Sequence, residues 1–351
     1  MKREEFLKQL EQLLDGISEE EKADALAFYR SYFEDAGEEN EESVIAELES
    51  PEKVAQSIKK NLGMEKENGS YGMPADQNPE WNKNDDDMLV KSEEAPKEEI
   101  VANWLPRYTK RNLEDFGEYI LLTNFNKYVE IFAEKFNVPI LGKDANMISA
   151  SAEGITIINF GMGSPNAAII MDLLSAIQPK ACLFLGKCGG IDKKNRIGDL
   201  ILPIAAIRGE GTSNDYFPPE VPSLPAFMLQ RAVSSAIRDY ARDYWTGTVY
   251  TTNRRIWEHD ENFKEYLKKT RAMAVDMETA TLFSCGFANH IPTGALLLVS
   301  DQPMIPEGVK TDKSDNIVTQ NYVTEHVEIG IASLRMIIDE KKTVKHLKFD
   351  W

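Results

Sequence analysis

The sequence predicts an α/β fold, a sheet with parallel segments covered by helices on both faces, preceded by a small all-α module. Three observations lead there. From about residue 98 onward, short apolar runs alternate with amphipathic stretches of helical length, the pattern of a sheet packed between helices. Residues 1–63 instead carry their apolar side chains at helical spacing only. Between these regions, residues 64–97 are rich in Gly, Asn, Asp, Glu, Ser and Pro and show almost no apolar periodicity, which reads as a flexible acidic linker. The expected organisation is therefore a helical module at 1–63, a linker at 64–97 and a larger α/β domain at 98–351.

In the first module, Phe6, Leu7, Leu10, Leu13 and Leu14 define one helical face, and Ser18 with Glu19–Glu21 caps a second helix carrying Ala25, Phe28, Tyr29, Tyr32 and Phe33. A third helix begins near Glu42, and a fourth starts at Ser50-Pro51, proline suiting the first turn. In the larger domain, strands are expected at Tyr119–Thr123, Ile155–Phe160, Cys182–Leu185, Leu200–Ile207, Trp245–Thr251 and Ala295–Val299. Helices are expected at Tyr128–Phe136, Ala167–Ile177, Ala226–Tyr240, Glu261–Lys269, Thr279–Asn289 and Asn321–Ile338.

The 351 residues carry a formal net charge of -18, which argues against nucleic acid as a partner, since that requires a basic patch. Cys182, Cys188 and Cys285 lie in apolar or Gly-rich runs without CxxC spacing, so reduced buried thiols are expected, with no metal site and no cofactor. No apolar stretch of about 20 residues or signal core is present. A soluble cytoplasmic protein is the expectation.

The motifs converge on strand ends, where open α/β sheets bind ligands. Asp276-Met277-Glu278 marks a strand giving way to a helix, and Asp301 closes an apolar strand. A carboxylate partly withdrawn from water there has a raised pKa, as a general acid near neutrality requires. Gly161-Met162-Gly163 before a helix can offer N–H groups to an anion, although tight strand-to-helix geometry alone also explains its glycines. Lys187 is expected in a Gly-rich loop at a strand tip, facing an anion. Thr212, Ser213 and Tyr216 belong to a polar, aromatic segment readable as a lid, a pocket wall or an ordered turn. Arg254 and Arg255 end a strand, where a guanidinium can take a phosphate in bidentate geometry or pair with Glu258 or Glu261.

Taken together, Phe160–Gly163, Leu185–Gly190, Arg208–Pro219, Val249–Arg255, Val275–Ala280 and Val299–Gln302 resemble the nucleoside phosphorylase/hydrolase superfamily, and within it the AMP nucleosidases. The resemblance implies a three-layer α/β/α nucleoside phosphorylase-like domain and a homo-oligomer, often a hexamer. It also implies AMP as substrate, cleaved by water to adenine and ribose 5-phosphate. By the same resemblance Met277 packs on the ribose, Glu278 holds ribose hydroxyls and Asp301 serves purine N7. Lys187, Arg208, Arg254 and Arg255 are the candidate cations for the 5′-phosphate, and Asp276 is a candidate for orienting the water. Where the phosphorylases hold inorganic phosphate, this chain has Thr123-Asn124 with Lys127, and Phe184 with Lys187, which weakens that site and favours hydrolysis. Alternative readings are a purine nucleoside phosphorylase, a methylthioadenosine-type nucleosidase and a nucleotide-sensing interaction protein. Residues 1–63 resemble the helical module called HAAS through Phe6–Leu10 and Tyr29–Asn40, which implies a signalling or interaction unit able to bind a further, unidentified protein; taken by themselves these residues read as a solvated amphipathic bundle with no chemistry.

Overall fold

The structure, a computed structural model, describes residues 2–15, 19–36, 41–48, 50–61 and 96–340. The chain divides into two compact units, Met1–Leu89 and Val90–Trp351. The predicted linker falls outside the described residues up to position 95, as does the predicted cap at Ser18.

The first unit contains helices α1 (Arg3–Leu13), α2 (Glu19–Ala36), α3 (Glu41–Leu48) and α4 (Pro51–Asn61). They bury Phe6, Leu10, Leu14, Phe33, Val44 and Val54 in one core, with Phe6 and Phe33 edge to face at 5.7 Å. Pro51 opens α4, where its missing N–H leaves no bond unmade.

The second unit opens with a helix not anticipated from sequence, α5 (Lys97–Thr109). Its acidic first turn and internal Pro106 hide a buried face of Val101, Leu105 and Thr109. In chain order follow β1 (Tyr119–Thr123), α6 (Asn126–Phe136), β2 (Ile148–Ala152), β3 (Ile155–Asn159), α7 (Ser164–Leu174), β4 (Ala181–Gly190) and β5 (Leu200–Gly209). After these come α8 (Phe227–Asp239), β6 (Tyr244–Thr252), α9 (Glu261–Thr270), β7 (Ala274–Asp276), α10 (Thr279–Ala288), β8 (Thr293–Asp301) and α11 (Asp312–Asp339). The strand β2 also went unrecognised, because its Ser and Ala residues lack the β-branched signal of its neighbours. Helix α11 begins well before the expected Asn321; its polar first turns carry no apolar periodicity but are fixed by a capping box between Thr311 and Ser314.

The strands form one mixed sheet in the order β2-β3-β1-β4-β7-β6-β5-β8. Strand β8 also pairs with β4, so β4, β7, β6, β5 and β8 close into a ring. One face of the sheet packs on α6, α8 and α11 around Leu121, Leu183, Leu296 and Val327, and the other on α5, α7 and α10 around Phe160, Ile170, Phe184 and Phe283. These are the three layers of an α/β/α domain.

One expectation is corrected by β4. The predicted strand Cys182–Leu185 does not end in a glycine loop at Gly186; it continues to Gly190, and every residue in it is buried. A Cβ at Gly186 would lie 2.4 Å from the Phe184 ring. The glycine records a close approach of side chains, which sequence alone cannot tell from a turn. Lys187 therefore belongs to a strand.

Candidate active site

The parallel strands β1, β4 and β8 end side by side, and their carboxyl ends, with the β7–α10 junction, surround a cleft of about 630 Å³ including its mouth. Asp276, Met277, Glu278, Lys187, Asp301, Arg254 and Arg255 line it, together with Asn124, Phe125, Trp257, Glu258 and Lys310.

The β7–α10 junction is built by Asp276. Its carboxylate accepts from the Glu278 N–H at 3.3 Å, the Thr279 N–H at 2.8 Å, the Thr279 hydroxyl and the Thr251 hydroxyl at 2.7 Å. Thr251 in turn accepts from the Ala280 N–H at 2.9 Å, tying β6 to the helix. Asp276 thus satisfies N–H groups that the start of a helix leaves free. These bonds hold the Asp276 carboxylate at the junction and, through the Glu278 N–H, help to position Glu278.

Glu278 is 2% exposed. One carboxylate oxygen accepts from the Gly163 N–H at 2.8 Å and the other from the Met277 N–H at 3.2 Å. Gly163 has φ +91°, a conformation that costs a side-chain-bearing residue strain. Its N–H, expected to meet an anion at the start of α7, meets this carboxylate. Burial and the charge of Asp276 push Glu278 above the usual carboxylate range, against the pull of those two N–H groups.

Asp301 arrives through an irregularity in the sheet. Cys188 pairs with Val299 and Gly189 with Asp301, leaving Ser300 as an extra residue. The Ser300 hydroxyl donates to Asp301 at 2.6 Å. Burial raises the Asp301 pKa; Ser300, Lys310 and Arg255 oppose the rise, and Glu258 adds to it.

The cations are all paired. Lys187 donates to Asp315 at 2.8 Å and Thr319 at 3.0 Å, Arg254 to Asp260 at 2.8 Å and Arg255 to Glu258 at 3.3 Å. Arg208 does not line the cleft. It donates to the backbone carbonyls of Ser213, Phe217, Pro218 and Val221 and to the side chains of Ser213 and Asn214, so it clamps its own loop. Thr212, Ser213 and Tyr216 lie in or beside the 3₁₀ turn Thr212–Asp215 and are likewise outside the lining, with Tyr216 donating to Asp172 at 2.6 Å. Within one chain this segment is an ordered turn. Sequence reasoning missed Lys310, Phe125 and Trp257 as lining residues; each sits in a connection where no periodicity or motif marks it. Among the described residues no group of His, Cys, Asp and Glu is arranged to hold a metal ion, and no helix is long and apolar enough to cross a membrane.

The sequence profile of the phosphorylase superfamily matches residues 118–340, more than half of the chain. This chain belongs to the phosphorylase superfamily. The superfamily domain is preceded by a match to the HAAS profile at residues 5–57. The AMP nucleosidase of Escherichia coli is 29% identical over 279 residues, covering 66% of this chain and 57% of that protein, so the chain spans little more than half of that relative's length. A solved AMP nucleosidase from Bacteroides thetaiotaomicron is 61% identical, with a TM-score of 0.63 over 70% of this chain and 100% of the other. A uridine phosphorylase from Vibrio fischeri, 22% identical with a TM-score of 0.57 over 64% of this chain and 93% of the other, shares the fold.

Proposed function

We propose that this superfamily member hydrolyses the N-glycosidic bond of AMP, releasing adenine and ribose 5-phosphate. The observation that carries the reading is that Asp301 and Glu278, two carboxyl groups with raised pKa values, face one cleft beside Met277. The two relatives with AMP nucleosidase activity in their names, one of them 61% identical, support it.

Breaking the bond builds positive charge on the ribose and negative charge on the departing base. A protonated Asp301 donates to N7 and neutralises the base as it leaves. Glu278 accepts from ribose hydroxyls and offsets the growing charge of the sugar, while the Met277 side chain packs against the ring. Each of these interactions strengthens as the bond breaks, the condition for raising the rate rather than merely tightening binding. The attacking group is water.

We place the protein in the cytoplasm, in purine salvage, as a homo-oligomer of which the hexamer is the expected form, with residues 1–63 binding a partner protein. The deciding experiment is incubation of purified protein with AMP, followed by chromatography for free adenine. Adenine should appear in stoichiometric amounts with ribose 5-phosphate, without added phosphate. Release of base only from adenosine, and only when inorganic phosphate is supplied, sinks the reading in favour of phosphorolysis.

A further inference from the structure

Lys187, Arg254, Arg255 and Lys310 are the cations that line the cleft, and their partners divide them into two kinds. Arg254 binds Asp260, the residue that caps α9 by accepting from the Phe263 N–H at 3.0 Å. Arg255 binds Glu258 three positions along the chain. Each guanidinium thus meets a carboxylate of its own. Lys187 and Lys310 meet the same one, and indeed the same oxygen: Oδ1 of Asp315 lies 2.8 Å from Lys187 and 2.9 Å from Lys310. Both ammonium groups also lie against the Phe125 ring, at 4.6 Å and 5.6 Å from its centroid.

Two positive charges against one negative charge leave an excess of one. That excess is partly withdrawn from water, the Lys187 side chain being 4% exposed, Lys310 20% and Asp315 34%, so bulk solvent screens it less than it would a fully exposed pair. Burial draws the Lys187 pKa down and Lys310 adds to the fall, while Asp315 opposes it. A phosphate monoester, at about −1.5 to −2 near neutral pH, would more than offset that excess. We propose that Lys187 and Lys310, bridged by Asp315, form the subsite for a phosphate monoester, the 5′-phosphate of the nucleotide. Lys310, which no motif marks, then selects nucleotide over nucleoside. Lys187 comes from the rigid β4, Asp315 from the first turn of α11 and Lys310 from the connection just before it. The subsite therefore combines one fixed cation with one carried by a loop. The inference rests on AMP as the substrate, and the test separates the two.

Lys310→Met is compared with wild type and with Lys180→Met, which removes a solvent-exposed lysine paired with Glu118 and absent from the cleft lining. For each protein, kcat and KM are measured for AMP and for adenosine, with and without inorganic phosphate, and binding of ribose 5-phosphate is followed by calorimetry. In Lys310→Met, kcat/KM for AMP should fall at least tenfold further than that for adenosine, chiefly through KM, and ribose 5-phosphate should bind at least tenfold more weakly. Lys180→Met should change neither ratio. Equal losses for AMP and adenosine overturn the proposal. So does a Lys310→Met defect confined to phosphate-dependent turnover of adenosine, which would make the pair a site for inorganic phosphate. If wild type releases no adenine from AMP, the hydrolase reading fails, and the ribose 5-phosphate titration still decides the subsite.

Discussion

Two aspartates in this domain face opposite electrostatic fates. Asp172, on α7, accepts from Lys97 at 2.6 Å, from Tyr216 at 2.6 Å and from Asn289 at 2.9 Å. These donors outweigh its burial and hold its pKa below the usual carboxylate value. Asp301, at the end of β8, has a single donor among the described residues, the Ser300 hydroxyl, and burial pushes its pKa up. The first cluster joins α5, α7, α10 and the Tyr216 turn through three donors to one carboxylate. The second keeps a carboxyl group short of partners beside a cleft. Perturbed groups mark function when their environment leaves them unsatisfied, and mark architecture when it completes them.

The largest expected effect tests the unsatisfied group. Asp301→Asn should lower kcat for AMP by about 10²–10⁴-fold, the usual worth of general acid catalysis, with a melting point no lower than that of wild type. Turnover within a few-fold of wild type would remove Asp301 from its role. Glu278→Gln should lower kcat by about 10²-fold, the scale seen when one preorganised electrostatic contact is lost. The same variant probes stability. A carboxyl group whose folded-state pKa is raised contributes stability in acid that is lost as pH rises through that value. Wild-type stability relative to Glu278→Gln should therefore decline as pH climbs above the ordinary carboxylate range; a pH-independent difference would contradict the burial argument.

Asp172→Ala should invert the pattern. Stripping the acceptor from Lys97, Tyr216 and Asn289 should cost about 1–3 kcal/mol, seen as a melting point lower by several degrees, with kcat for AMP retained. A tenfold drop in kcat with no change in melting would show that the comparison has the two clusters the wrong way round. The smallest effect is in the pH profile: kcat/KM should fall on the alkaline side as Asp301 loses its proton, with the midpoint above the ordinary aspartate range. A midpoint at or below that range would mean the charged form is the active one.

Much of this was legible in the sequence for definite reasons. Strands such as Tyr119–Thr123 and Ala295–Val299 are continuous apolar runs because both faces of the sheet are covered, and Asp301 stands out as a charge at the end of one. The Asp276–Glu278 run is visible because a helix start calls for a capping acid. Other features depend on contacts that sequence spacing does not encode. Arg208 sits in a conspicuous motif, but its donors turn back on carbonyls between Ser213 and Val221. Lys187 looked like a loop residue because glycines needed for close packing against Phe184 resemble glycines needed for turning. Lys310 and Asp315 come together with Lys187 only because α11 starts at Asp312, and its polar opening turns gave no periodic signal.

The extra residue in the β4–β8 ladder has a further consequence. Side chains alternate between the two faces of a strand, so skipping Ser300 in the pairing determines on which side of the sheet the following acid emerges. Deleting Ser300 would let Val299 and the acid pair with Cys188 and Gly189 as consecutive residues, so the acid would keep its place opposite Gly189 but lose the hydroxyl that donates to it.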